Sequence, residues 1–262
     1  MRIPRLHLFE LEDQPWFPGT IRDLATDCLH HIEALFGVHQ PAVVLVAEAL
    51  AKSNTSRLID LCSGGSGPMP ALLAALVAQG VKVDAVLTDR FPNLEAFQRA
   101  ASNSKGHISF QSEPVDARSV PRQLTGLRTL FNAFHHFRPA EAITVLRDAT
   151  QAGQPIAIFE VPDRRFRTII SVLFFVPLLV AVMTPFIRPF TWRRLLWTYL
   201  FPLVPITCWW DGAVSQLRAY SPEELKTLGQ TADSQSYVWS AGHIRIKSPP
   251  GNLTYLIGYP KQ

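Results

Sequence analysis

The sequence predicts an α/β fold built on a doubly wound, mostly parallel sheet, and three observations carry that expectation. Strand-like apolar runs alternate with helical patterns from Leu58 to Glu160, and such alternation demands a mostly parallel sheet covered on both faces. A glycine-rich turn holding Gly64, Gly65 and Gly67 joins the first run to a helix. Two late apolar runs flank the turn-forming Ser248-Pro249-Pro250-Gly251-Asn252 and predict an antiparallel hairpin that completes the sheet. At 262 residues and 47% apolar, the chain has enough material for a proper core.

The elements follow in order. Two helical patterns come first, Thr20 to Phe36 and Pro41 to Ala51, with apolar residues at three- and four-residue spacing. Leu58 to Leu61 reads as the first strand, and Pro68 to Gln79 as a helix ended by Gly80. Lys82 to Thr88 is a second strand closing on Asp89, followed by a short helix from Leu94 to Ala101. His107 to Glu113 and Leu127 to Asn132 give two more strands, Pro139 to Thr150 a helix, and Pro155 to Phe159 a fifth strand ending in Glu160. Ser221-Pro222-Glu223-Glu224 starts a late helix, with a serine N-cap, a proline at the first helical position and a glutamate placed to close the capping box. The hairpin strands fall near Tyr237 to Ile246 and Leu253 to Tyr259, which brings the sheet to seven strands.

Composition narrows the function classes. A net charge of +4 is mildly basic, but it is not arranged as lysine-rich runs with interleaved aromatics, so a nucleic-acid surface is disfavoured. Cys28, Cys62 and Cys208 lie far apart, with no CxxC pair and no histidine at metal-ligand spacing. No metal site and a reducing, cytoplasmic setting are therefore expected. Two arginines near the start are followed by no apolar run, which argues against a secretory signal.

In a sheet of this kind ligands sit beyond the carboxyl ends of the strands. The glycines after the first strand let the backbone come close to a bound molecule. Asp89 ends the second strand, where a carboxylate can accept hydrogen bonds from both hydroxyls of a ribose. Asp116 follows the third strand, placed to accept from an exocyclic adenine amine. The glycines fall as GGxG and not GxGxxG, and no second nucleotide half follows, so a dinucleotide and hydride transfer are disfavoured.

Over Arg57 to Val161, and more weakly over Arg218 to Tyr259, the chain resembles the class I S-adenosylmethionine-dependent methyltransferases, whose sheet is Rossmann-like. Their first motif, an acid followed by spaced glycines, falls here on Asp60, Gly64, Gly65 and Gly67. Cys62 and Ser66 stand where glycines are usual. The resemblance implies S-adenosyl-L-methionine as cofactor, with Asp60, Cys62 and the glycines along its methionine portion and Asp89 with Arg90 at the ribose. It also implies Asp116 with Ala117 at the adenine, and Asn132 at the fourth strand's end. TLFNAFHHF, Thr129 to Phe137, is similar to the fourth motif, and LRAYSPEEL, Leu217 to Leu225, to the start of the last helix. His135 or His136 would serve as general base toward an acceptor hydroxyl or amine; the plainer alternative has one of the two packed under the helix and the other hydrogen-bonded to backbone.

Between the fifth strand and the last helix the text changes. Thr168 to Ile187 and Leu195 to Trp210 contain no charged residue, and Arg188, Arg193 and Arg194 lie between them. The first run has the length of a membrane span. Arginines at both ends, and the need for the hairpin to return to its sheet, favour a hairpin dipping into one leaflet, with tryptophans in the headgroup zone. A hydrophobic cap walling the active site is the alternative. Either way the expected acceptor is a hydrophobic or lipid-like small molecule, methylated at a membrane surface or in a greasy pocket. A methyltransferase-like binding or membrane-tethering protein without turnover is the rival. The organisation expected is an N-terminal helical lid over residues 1–56, a methyltransferase domain over 57–163 and 213–262, and the apolar insert over 164–212.

Overall fold

The computed structural model describes residues 3–247 and 250–261. The expected turn residues Ser248 and Pro249 lie outside them. The chain divides into two compact units, one of residues 1–36 and 162–220, the other of 37–161 and 221–262. That division differs from the boundaries read from the sequence. The first helix goes with the apolar insert, the second with the sheet, and the insert runs on to Tyr220.

The sheet unit holds β1 (Arg57–Asp60), β2 (Asp84–Leu87), β3 (Ile108–Phe110), β4 (Leu127–Phe131), β5 (Ile156–Glu160), β6 (Tyr237–Ile246) and β7 (Gly251–Pro260) in one sheet of order β3-β2-β1-β4-β5-β7-β6. The first five strands are parallel and β7 runs antiparallel to both β5 and β6. The doubly wound, Rossmann-like sheet with its reversed hairpin is therefore present as expected. Strands β1, β4 and β5 are buried nearly end to end, which is why they read as continuous apolar runs. Alternate residues, among them Leu58, Leu87, Leu127 and Phe159, share a core with α2 (Ala42–Lys52) and α3 (Met69–Ala78), and Phe97 of α4 (Leu94–Asn103) joins it. The intervening Ile59, Val86, Leu130 and Ile158 are equally buried and point to the opposite side of the pleat. α5 (Pro139–Gln151) and α9 (Pro222–Ala232) pack on one another.

The late helix starts as its sequence dictates. Ser221 Oγ accepts from Glu224 N, and Glu224 Oε2 accepts from Ser221 N at 2.8 Å. Trp239 of β6 fixes how that helix meets the sheet. Its ring lies against Gly229 of α9 and Gly258 of β7, leaving no room for a Cβ at either position, and its indole N–H donates to Asp233 O at 2.6 Å.

The other unit consists of α1 (Gly19–Phe36), α6 (Phe166–Met183), the short α7 (Trp192–Leu195) and α8 (Leu203–Arg218). Ile21, Leu24, Ala25 and Cys28 of α1 share a core with Val180 of α6 and Val204 of α8, with Phe17 packed against it. The segment before α1 is held to α8 by polar groups. Asp211 accepts from the backbone N–H groups of Leu11 and Glu12, and buried Arg218 donates to Leu8 O and Asp13 and pairs with Glu10. Arg218 thus ties that segment to α8.

Candidate active site

The end of β1 runs into a loop that both neighbouring strands, β2 and β4, hold. Leu61 N donates to Thr129 O of β4, and Ser63 N donates to Thr88 O beyond β2. Asp60, 2% exposed, turns its carboxylate inward: Oδ1 accepts from Thr129 Oγ1 and Oδ2 from Ser63 Oγ, both at 2.7 Å. Burial pushes this carboxyl up to about 7, against the pull of those two hydroxyls. The carboxylate is thus an internal brace of the loop.

Four residues of the loop take a left-handed backbone: Cys62 (φ 58°), Gly64 (φ 53°), Ser66 (φ 87°) and Gly67 (φ 51°). Glycine adopts this region freely, whereas other residues clash with the following carbonyl at a cost of roughly 1–2 kcal/mol. Cys62 and Ser66, where glycines are usual, therefore both hold a strained conformation, and the surrounding hydrogen bonds impose it. Ser66 N donates to Ser63 O and Met69 N to Ser66 O, so the loop passes directly into α3.

Asp89, half-buried just past β2, ties the rim together: Oδ2 accepts from Gly64 N at 2.8 Å and Oδ1 from Phe91 N at 2.7 Å. Each carboxylate oxygen keeps a second lone pair for a ligand hydroxyl. Arg90 beside it is exposed, with its guanidinium 5.6 Å from the Phe91 ring. Asp116 lies in the loop after β3, next to buried Ala117. It is grasped by Arg118, whose Nη2 is 2.7 Å from Asp116 Oδ2 and whose Nη1 reaches Glu141 at 2.8 Å. The Arg118 hydrogen bonds hold the Asp116 carboxyl below its ordinary value. The sequence reading did not anticipate this clamp, although Arg118 stands only two residues away.

The end of β4 brings the remaining groups. Asn132 takes φ 50°, a region asparagine tolerates better than most residues. Its Oδ1 accepts from Val161 N at 2.7 Å, and Nδ2 lies 3.4 Å from Nε2 of His39, which precedes α2. His39 was not singled out from the sequence, where it stands alone among turn residues. His135, 2% exposed, has its Nδ1 2.5 Å from Oε2 of fully buried Glu160, whose Oε1 accepts from Phe134 N at 2.7 Å. The half-buried His136 ring lies 4.4 Å from that of His135. The sequence marked Glu160 as a strand-end acid without giving it this partner. Pairing of β4 with β5, which sets Phe131 opposite Phe159, is the signal that joins them.

The sheet unit therefore places the turn residues, Asp89, Asn132 and the His135–Glu160 pair where strands β1, β2, β4 and β5 end. A 3-2-1-4-5-7-6 sheet with a glycine turn after its first strand and an acid after its second defines the class I methyltransferase fold, and the chain has that fold. No protein-family model matches the chain, and no curated protein is similar to it in sequence. Solved structures share its architecture. An O-methyltransferase family protein from Burkholderia thailandensis aligns at 18% identity with a TM-score of 0.50, over 88% of this chain and 58% of its own. PigF, solved with SAH, aligns at 16% identity and a TM-score of 0.52, over 94% and 62%. The plantazolicin methyltransferase BpumL, in complex with SAH, aligns at 11% identity and a TM-score of 0.53, over 92% and 96%. The chain thus spans about three-fifths of the first two and nearly all of the third.

Proposed function

We propose that the chain is an S-adenosylmethionine-dependent methyltransferase acting on a hydrophobic or lipid-like acceptor at the cytoplasmic face of a membrane. The observation that carries the enzymatic half is the pairing of a left-handed glycine loop, bridged by Asp89, with a buried His135–Glu160 couple on the same strand ends. The residues fit the cofactor: Gly64 and Gly67 keep side chains out of the loop, and half-buried Asp89 retains lone pairs for vicinal hydroxyls. When bound, the cofactor supplies an electrophilic methyl group on a sulfonium. The rest falls to this chain. Glu160 fixes His135 with a proton on Nδ1, which makes Nε2 the nitrogen that takes the acceptor's proton. The loop and Asp89 orient, and the apolar strand ends exclude water.

The membrane half rests on α6 and the turn after it. Phe166–Phe186 has a mean hydropathy of 2.5 and is only 17% buried. Phe166, Ile170, Phe174, Leu178, Val182 and Phe186, spaced by four, are all more than a third exposed, as are Trp192 and Tyr199. Exposed Arg165, Arg167, Arg188 and Arg193 lie in the same stretch of chain. An apolar helical face with cationic and aromatic neighbours suits the interface of an anionic bilayer.

Calorimetry with S-adenosylmethionine tests the first half, and absence of binding would overturn it in favour of a tethering protein without turnover. His135→Ala and His136→Ala, compared by cofactor affinity and methyl transfer to lipid extract, test the base: His135→Ala alone should lose turnover while retaining affinity. Flotation with phosphatidylglycerol vesicles tests the second half. Full recovery of protein away from lipid, without detergent, would sink it.

A further inference from the structure

The tight turn Phe134–His136, which carries both histidines, is pinned at each end by a carboxylate. At its start Glu160 Oε1 accepts from Phe134 N at 2.7 Å. Just past it Glu141, in the first turn of α5, accepts from Arg138 N through Oε2 at 3.1 Å, the contact a glutamate three residues into a helix makes with its cap. Glu160 is fully buried and has the His135 ring as its partner. Glu141 is half-buried, and its other oxygen accepts from Arg118 Nη1 at 2.8 Å.

Arg118 is itself fixed from behind. Its backbone N–H and Nε donate to Asp116 Oδ1 at 2.9 and 3.0 Å, and Nη2 donates to Oδ2 at 2.7 Å, with Nε also 3.2 Å from Oδ2. Oδ1 thus uses both of its lone pairs and Oδ2 at least one, so at most a single acceptor position on Asp116 remains for another group. The carboxylate expected at the adenine amine is committed first to Arg118. The Asp116, Arg118 and Glu141 side chains are 35%, 31% and 40% exposed, and ion pairs so open to water add little stability. What a guanidinium held at two edges supplies is direction, because it is planar and its donors form a rigid fork.

We propose that Asp116, Arg118 and Glu141 form a strut that positions the histidine turn from its α5 end, as Glu160 does from its β5 end, with Arg118 the positioning residue. Its part in catalysis rests on the methyltransferase function proposed above. Glu160 orients the His135 ring, and the strut sets where the backbone leaving His136 enters α5. Arg118 keeps Glu141 in the rotamer that reaches Arg138 N; a long side chain on an open helix start otherwise spreads over several. A shift of about 1 Å at a reacting group can cost on the order of 100-fold in rate. The strut acts on acceptor and methyl group only through the turn, so its loss falls on turnover and leaves cofactor affinity in place.

The test uses the full chain carrying Arg118→Gln, with Glu141→Gln as the second variant should the first fold poorly. Carbethoxylation of histidines by diethyl pyrocarbonate, mapped by mass spectrometry, reads the turn without any cofactor. His135 or His136 is expected to react at least about threefold faster than in the wild type, while His107 before β3 and His243 of β6 keep their rates. Unchanged or slower rates at both turn histidines, or a rise shared equally by His107 and His243, would overturn the strut. Calorimetry and methyl transfer to lipid extract read the positioning role. S-adenosylmethionine affinity is expected to stay within about threefold while kcat falls at least about tenfold; an unchanged kcat, or affinity lost in step with turnover, would overturn that role. A wild-type chain that binds no S-adenosylmethionine overturns the methyltransferase function instead, and the carbethoxylation rates still decide the strut.

Discussion

Asp60→Asn is expected to stabilise the fold above neutral pH and to change it little in acid. In the folded chain burial lifts this carboxyl from 3.8 to about 7, so between those values the native state holds a proton that the unfolded chain has released. The stability this supplies is fully present below the unfolded value and is lost as pH rises through the folded one. At 1.36 kcal/mol per pH unit, the ionised carboxylate costs the native state about 4 kcal/mol at pH ~8. An asparagine carbonyl can accept from one of Thr129 and Ser63, and its amide donates to the other, a rearrangement costing about 1 kcal/mol. The variant should therefore gain about 3 kcal/mol at pH ~8 and lose up to about 1 kcal/mol at pH ~4. Urea unfolding of both proteins across this range gives the difference directly, because the other titrating groups cancel. Curves that run parallel at all pH values would refute the assignment of a raised, buried carboxyl at the foot of the loop.

Four further outcomes are expected. Asp89→Ala strips the acceptor from Gly64 N and Phe91 N, and S-adenosylmethionine affinity by calorimetry should fall at least about tenfold; undiminished affinity would count against a cofactor role for that rim. Ser66→Gly relieves a left-handed backbone and should raise stability by up to about 1 kcal/mol in urea unfolding. Asp148→Ala leaves Arg128, 1% exposed and paired with it at 2.6 Å, as an uncompensated buried charge; the expected loss is about 3–5 kcal/mol, and adding Arg128→Met should restore most of it. Gly258→Ala drives a methyl into the Trp239 ring and should cost about 1–3 kcal/mol, seen as a lower thermal midpoint.

Much of the fold was legible because its strands are short, apolar and punctuated. The five parallel strands fall within a few residues of their sequence positions, and Ser221 with Glu224 makes the capping box that their spacing implies. β3 is shorter than its apolar text, Ile108–Phe110, the residues that stand in register with Ala85–Leu87 of β2. The partition into units was not legible. α1 and α2 carry similar helical patterns, and only tertiary packing sends Cys28 to α8 and Val46 to the sheet. At the candidate site, local motifs point to Asp60, the glycines, Asp89 and the histidines. Those that depend on strand neighbours, such as Thr129 beneath Asp60 and Glu160 behind His135, lie 69 and 25 residues away in sequence. A motif carries no information about them.

The position of β7 between β5 and β6 has a consequence for synthesis. β5 leaves the ribosome with one edge unclosed, and its partner emerges only after the whole apolar stretch from Phe166 onward. An open strand edge and an exposed greasy helix thus coexist in the nascent chain, the combination most prone to misassociation. Early engagement of α6 by a bilayer or a chaperone would remove half of that hazard. Glu160 pairs in register with Thr254, so the acid that orients His135 is among the last groups to be locked in place.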